Sequence, residues 1–295
     1  MRTTYDHYLK VLWPGAFCHQ HVTMRAAAAK PKFMIRDAEK DPFLPAEGIH
    51  NLRDYGGYGV AGGGHMKTGV LFRSGHHAEA TDADLGQVSA LSLRHVIDLR
   101  GDSERAKHTC RRPDDFAAEV LFFEGETAGL APHLEAAEGS IDAASAHRTM
   151  VNLYAALPDR AGLNWVLKRY FAALAQGQGA SLVHCAAGKD RTGIAVDLLH
   201  HILGVHPDDA MHDYLLTNHS PRNEERIAHG RKLIGGKYGT KDEATVRVLM
   251  GVDAEFLEAS RRSVKERFGS TDAYLAQILN VDDSRKARLR DALLA

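Results

Sequence analysis

The sequence predicts an α/β sandwich, in which helices flank a mostly parallel central sheet and a helical tail completes the chain. Two observations carry this expectation. Short apolar runs of strand length alternate with longer helical patterns from Val70 to Leu203, and beyond Pro207 only helical patterns recur. No internal repeat, low-complexity tract or linker divides the chain.

Val70–Arg73 reads as a strand, Asp82–Leu91 as a helix, and His95–Leu99 and Val120–Phe123 as strands, each strand being an apolar run of four or five residues. Ala161–Ala175 has the length of a long helix. Ser181-Leu182-Val183 is again a strand, and Thr192-Gly193-Ile194-Ala195-Val196 opens a buried helix. Pro207 with Asp208 and Asp209 forms a helix first turn, since proline lacks an N–H that would be unpaired there and carboxylates suit the positive end of the helix dipole. That helix is expected to reach Leu216, and Ala254–Phe268, Thr271–Leu279 and Ser284–Leu294 follow. Between Phe123 and Ala161, Gly125, Gly129, Gly139 and Ala143-Ala144 interrupt any long apolar face, so this stretch reads as a mobile lid or as a surface excursion with one short helix.

The 295 residues suit a single domain of α/β size, and with 44% hydrophobic and 25% charged residues the chain can bury a full core. A net charge of −1 argues against nucleic acid or a strongly anionic membrane as a bulk partner. Three scattered cysteines, Cys18, Cys110 and Cys185, make no disulfide framework and point to a reducing, cytoplasmic location. A protective disulfide between Cys110 and Cys185 is the less favoured reading, a spare thiol at Cys110 the simpler one.

Residues 1–44 read as an N-terminal extension and a candidate for disorder, with Met24 and Met34 as alternative starts. The apolar run Val11-Leu12-Trp13 is broken by Pro14 and is too short for a signal core or a membrane span. Residues 45–295 are expected to form the catalytic domain.

The chemistry concentrates in His184-Cys185-Ala186-Ala187-Gly188-Lys189-Asp190-Arg191-Thr192-Gly193, at a strand-to-helix turn. There the loop N–H groups and the unpaired N–H groups of the helix start converge, and the helix dipole adds positive charge, so Ala186, Ala187, Gly188, Lys189, Thr192 and Gly193 are expected to cradle a phosphoryl group. The same environment, with Arg191 nearby, favours the thiolate of Cys185. Gly188 permits close backbone approach, and the planar fork of Arg191 can grip two phosphoryl oxygens where a lysine cannot. Thr192 offers a hydroxyl to the sulfur. The plain alternative is a buried structural cysteine near a surface arginine.

This loop resembles that of the bacterial-type tyrosine and phosphoinositide phosphatases, within the protein tyrosine phosphatase superfamily defined by a cysteine and an arginine with five residues between them in the signature. Further segments are similar to that family: Asn51-Leu52-Arg53-Asp54-Tyr55-Gly56-Gly57-Tyr58, Leu71-Phe72-Arg73-Ser74, Val96-Ile97-Asp98-Leu99-Arg100 with Glu104 downstream, and Tyr214-Leu215-Leu216-Thr217-Asn218. The resemblance implies a three-layer tyrosine phosphatase-like sandwich, hydrolysis through a phosphocysteine, and a phosphotyrosine protein or a phosphoinositide as substrate. It implies no metal and no cofactor.

For the proton donor, many relatives use an aspartate on a separate loop roughly thirty residues before the nucleophile, where donation reach allows it. Here that window offers Asp159, while the lysine-aspartate form of the signature favours Asp190 and leaves Asp98 and Asp159 as alternatives. Each can instead pair with a neighbouring arginine. Lys189 is read as an extra ammonium able to hold a second phosphate on an inositol ring, or as a solvated charge. His184 is expected to orient the loop and tune the thiolate, or simply to pack behind the strand. Two rival functions use the same residues: a sulfurtransferase and a non-catalytic phospho-ligand binding module.

Other motifs carry less. Gly57-Tyr58-Gly59-Val60-Ala61-Gly62 has dinucleotide spacing, but Gly62-Gly63-Gly64 marks a hairpin tip instead. The pairs His76-His77 and His200-His201 lack the spacing of a helical metal site. Nothing in the sequence fixes the oligomeric state.

Overall fold

A computed structural model describes residues 41–127, 136–137, 142–239 and 242–295, all within one compact unit, Phe33–Ala295. Of the expected N-terminal extension, residues 1–40 lie outside the described residues.

In chain order the elements are β1 (Arg53–Asp54), β2 (Leu71–Ser74), α1 (Asp82–Ala90), β3 (Leu93–Asp98), α2 (Asp102–Lys107), β4 (Glu119–Leu121), α3 (Ala143–Ala156), α4 (Ala161–Leu174), β5 (Ala180–His184) and α5 (Asp190–Leu203), then α6 (Pro207–Leu215), α7 (Asn223–Tyr238), α8 (Glu243–Met250), α9 (Ala254–Phe268), α10 (Thr271–Gln277) and α11 (Asp283–Leu293). The strands lie in the order β1-β2-β5-β3-β4, with β1 antiparallel to β2 and every other pair parallel. The expected α/β sandwich is therefore the observed one, and β5 occupies its centre.

Period-two alternation divides the strand side chains between two apolar layers. Leu71, Ile97 and Val183 face a large cluster shared with α3, α4, α5 and the C-terminal helices, while Phe72, Val96 and Leu182 face a smaller one with Ile49, Leu52 and Val88 of α1. All residues of β2 and β5 are buried, as a parallel sheet covered on both faces requires. Among the described residues no helix is long and apolar enough to cross a membrane.

Several elements were not legible from the sequence. β1 has only two residues and α2 buries none of its six. In the stretch read as a lid or surface excursion, α3 is a 14-residue helix that buries Ala146, Met150 and Tyr154. Its stripe is disguised by a small residue at its start and by His147, Arg148 and Asn152 between. The remainder of that stretch, residues 128–135 and 138–141, lies outside the described residues. α7 gives little sequence signal because it is mostly polar; its buried apolar residues among those described include Ile227 and Ile234. Gly62-Gly63-Gly64 does form a tight reversal, with antiparallel pairing of Gly59 and His65.

Candidate active site

Strand β5 ends at His184 and helix α5 begins at Asp190, so residues 185–189 make the turn at the C-terminal edge of the central strand. Lys189, at the N-cap, makes no side-chain cap, which leaves the first N–H groups of α5 available to an anion. Two loop carbonyls are tied on the outer side. Ala186 O accepts from His76 N at 3.1 Å, and Gly188 O accepts from Asn51 Nδ2 at 2.7 Å and Arg73 Nη2 at 3.0 Å. Gly188 has φ +68°, and a Cβ there would stand 2.3 Å from the Ser74 carbonyl carbon, so the position demands glycine.

The groups that hold Gly188 are themselves held. Asp213 accepts from Arg73 Nη1 at 2.7 Å and from Arg53 Nε at 3.3 Å, and Arg53 donates to Asn51 Oδ1. All four side chains are buried. Burial, and then the charge of Arg73, push the Arg53 guanidinium down to about 10, which leaves it charged at neutral pH.

Cys185 follows the central strand and is 1% exposed. The His184 ring turns to the other side of the strand, where Nδ1 is 3.4 Å from Cys185 O and Nε2 is 3.7 Å from Asp98 Oδ2. Burial pushes His184 down to about 3, so the ring is neutral. Asp98 would be raised by burial, but His184 and Arg100 hold it well below the usual carboxylate range. Its oxygens accept from Arg100 Nε at 2.9 Å and Nη2 at 2.7 Å, so Asp98 pairs with a neighbouring arginine.

Asp98, Cys110 and His184 each bring a possible metal-ligand atom within 4.8 Å of the others. The space among them already receives a cation, since Arg100 Nη2 donates to both Asp98 Oδ2 and Cys110 Sγ, the latter at 3.1 Å. Cys110 and Cys185 are both free thiols.

Arg191 is fully buried and held as a two-pronged fork. Nη1 meets Glu104 Oε2 at 2.5 Å and Nη2 meets Oε1 at 2.7 Å, while Nη1 also donates to Leu99 O and Thr127 Oγ1. Burial opposes the guanidinium charge, but Glu104 more than offsets it and raises the group above its ordinary range. Arg191 Nε and Thr192 Oγ1 are buried without a hydrogen-bond partner. Thr192 thus makes no bond to the Cys185 sulfur here. Both atoms sit at the helix start with polar capacity to spare.

Asp190 is 2% exposed and accepts at Oδ1 from Tyr154 OH at 2.8 Å. Asp159 lies on a single helical turn before α4 and pairs with Arg267 of α9. Lys189 differs most from the expectation of a projecting ammonium. It is fully buried, donates to Leu249 O at 2.7 Å and Gly251 O at 2.8 Å at the end of α8, and lies 3.4 Å from Asp190 Oδ1. The C-terminal carbonyls of a helix attract cations, and Arg226 of α7 donates to the carbonyl between them, Met250 O.

Asn51, Arg73 and Glu104 stand in the family-like segments of the sequence without an assigned role there, and nothing in the sequence singled out Asp213 or Tyr154 as parts of the site. These residues come from five distant places in the chain. Only the tertiary fold brings them to the loop.

Residues 44–295 match the profile of a tyrosine phosphatase family. A Cupriavidus necator protein named as a tyrosine-protein phosphatase is 36% identical over 85% of this chain and 88% of its own length. The triple specificity protein phosphatase PtpB of Mycobacterium tuberculosis is 30% identical over 84% of this chain and 97% of its own. A tyrosine-protein phosphatase of Nostoc commune is 27% identical over 71% of this chain and 69% of its own.

Proposed function

The chain belongs to the tyrosine phosphatase family, and from that premise we propose that Cys185 attacks the phosphorus of phosphotyrosine proteins, with some reach to phosphoserine and phosphothreonine. The thiolate sulfur bonds to phosphorus in line with the ester oxygen, whose bond breaks as Asp190 gives it a proton. Water then attacks the phosphocysteine, returns a proton to Asp190 and releases inorganic phosphate and the thiolate. In this reading Arg191 Nε and the loop N–H groups meet the equatorial oxygens, and the unpaired Thr192 Oγ1 at the helix start is a further donor to the phosphoryl group.

The observation that carries this reading is the Arg191 fork, fixed by Glu104 and within electrostatic reach of Cys185, with a buried Nε free for an anion. His184 and Asp98 act as supports behind the loop. Residues 45–295 are the catalytic domain in this reading. A nucleophile of this kind suits the reducing cytoplasm.

A phosphoinositide substrate is the second reading, while the name of the Mycobacterium relative speaks for breadth as a protein phosphatase. The burial of Lys189 against carbonyls of α8 weighs against that side chain as the reader of a second phosphate. Family membership disfavours a sulfurtransferase and a pure binding module.

The test is phosphate release, with EDTA present, from a phosphotyrosine peptide, a phosphoserine peptide and a phosphoinositide panel, comparing the parent with Cys185→Ser. Cys185-dependent release, fastest from the phosphotyrosine peptide, is expected. Release that survives in Cys185→Ser, or none from any substrate, overturns the proposal.

A further inference from the structure

The carboxyl group of Asp190 is gripped at one oxygen. Oδ1 accepts from Tyr154 OH at 2.8 Å and lies 3.4 Å from Lys189 Nζ, and Tyr154 OH in turn accepts from Tyr214 OH at 2.8 Å. Oδ2 takes none of these contacts. The three groups come from three helices, α5, α3 and α6, and all are buried.

A phenol has one proton, so Tyr154, which accepts from Tyr214, spends its own on Asp190. A lysine ammonium has no acceptor at all. A proton on Oδ1 would therefore face the protons of Lys189, whereas one on Oδ2 faces none of these donors. Burial raises Tyr154 and Tyr214 well above the ordinary tyrosine range, so both remain donors throughout.

We infer that Tyr154, oriented by Tyr214, is a positioning residue that assigns the transferable proton to Oδ2 of Asp190. The inference rests on Asp190 as the proton donor. In the first step the Oδ2–H bond breaks as the ester P–O bond breaks, the proton goes to the leaving oxygen, and the carboxylate charge left behind is met at Oδ1 by Tyr154 and Lys189. In the second step water gives a proton to Oδ2 as its oxygen bonds to phosphorus and the P–S bond breaks.

The test uses kcat/KM, which reports the first step, for a series of aryl phosphates from p-nitrophenyl to phenyl phosphate, with Asp190→Asn, Tyr154→Phe and Tyr214→Phe beside the parent. Basic leaving groups need the proton most, so the loss in Asp190→Asn should grow along the series toward about a hundredfold or more with phenyl phosphate. Tyr154→Phe should show the same slope at smaller size, about twofold with p-nitrophenyl and about tenfold with phenyl phosphate, as expected for one hydrogen bond to a charged group. Tyr214→Phe should follow with a weaker slope, and decides the matter if Tyr154→Phe does not fold.

A purely structural role would lower every substrate equally. A steep Asp190→Asn with flat tyrosine variants overturns the inference and keeps Asp190 as donor. A flat Asp190→Asn overturns the donor assignment itself, and the inference with it.

Discussion

The carboxamide of Asn51 donates to the carbonyl of Gly188 at 2.7 Å, although the two residues are 137 apart in the chain. With Arg73 on the same oxygen, it turns that carbonyl away from the concave side of the loop, where an anion needs N–H groups. Asn51→Ala should lower kcat/KM and vanadate affinity together by about tenfold, the effect of one buried hydrogen bond. Equal kcat/KM and vanadate binding in parent and variant would refute this. Gly188→Ala should be worse on both counts, since it meets the Ser74 backbone and a left-handed φ at once.

Glu104 neutralises and aims Arg191. Glu104→Ala leaves a buried guanidinium without its partner, a change that costs about 3–5 kcal/mol where a buried pair is broken from one side. Chemical denaturation should register the loss, and kcat/KM should fall by at least about tenfold as the fork loses its fixed plane. A variant of parental stability would mean that solvent or another carboxylate replaces Glu104.

Burial holds His184 at about 3 and His76 at about 4, against 6.5 for an unperturbed histidine. Above pH 6.5 both states are neutral at these sites, and their contribution to stability is fully present. As the pH falls below 6.5 the unfolded chain binds protons that the folded chain refuses, so stability declines until the folded rings titrate near 4 and 3. Each such group contributes at most about 1.4 kcal/mol per pH unit in that window. Urea midpoints measured from pH 7 to pH 5 should fall, and His184→Asn should flatten the slope. Midpoints that do not change over this range would contradict the burial of neutral histidines.

Lys189 fastens the start of α5 to the end of α8. Lys189→Met should therefore speed amide hydrogen exchange in residues 243–252 while leaving the ratio of phosphotyrosine to phosphoinositide turnover unchanged. A selective loss of phosphoinositide turnover would restore the second-phosphate reading of this lysine.

The candidate loop was legible in the sequence because its parts are contiguous: Cys185, Asp190 and Arg191 fall within one seven-residue segment at the strand-to-helix junction, and a short polymer segment carries its own geometry. The alternation of strands and helices was legible for the same reason, since hydrophobic period reports local conformation. By itself the sequence determined a strand, a phosphate-sized loop and a helix in the middle of an α/β chain. What surrounds that loop was decided only by tertiary structure. Sheet order sets β2 and β3 on either side of β5 and so delivers Arg73 and Asp98, while α3, packed on α8 and α9, delivers Tyr154 and α6, packed on α5, delivers Tyr214. Lys189 makes the physical reason plain. Its charge was visible in the sequence, but whether an ammonium meets solvent, a second phosphate or the carbonyl end of a helix depends on α8, some sixty residues away, and local pattern carries no information about so distant a partner.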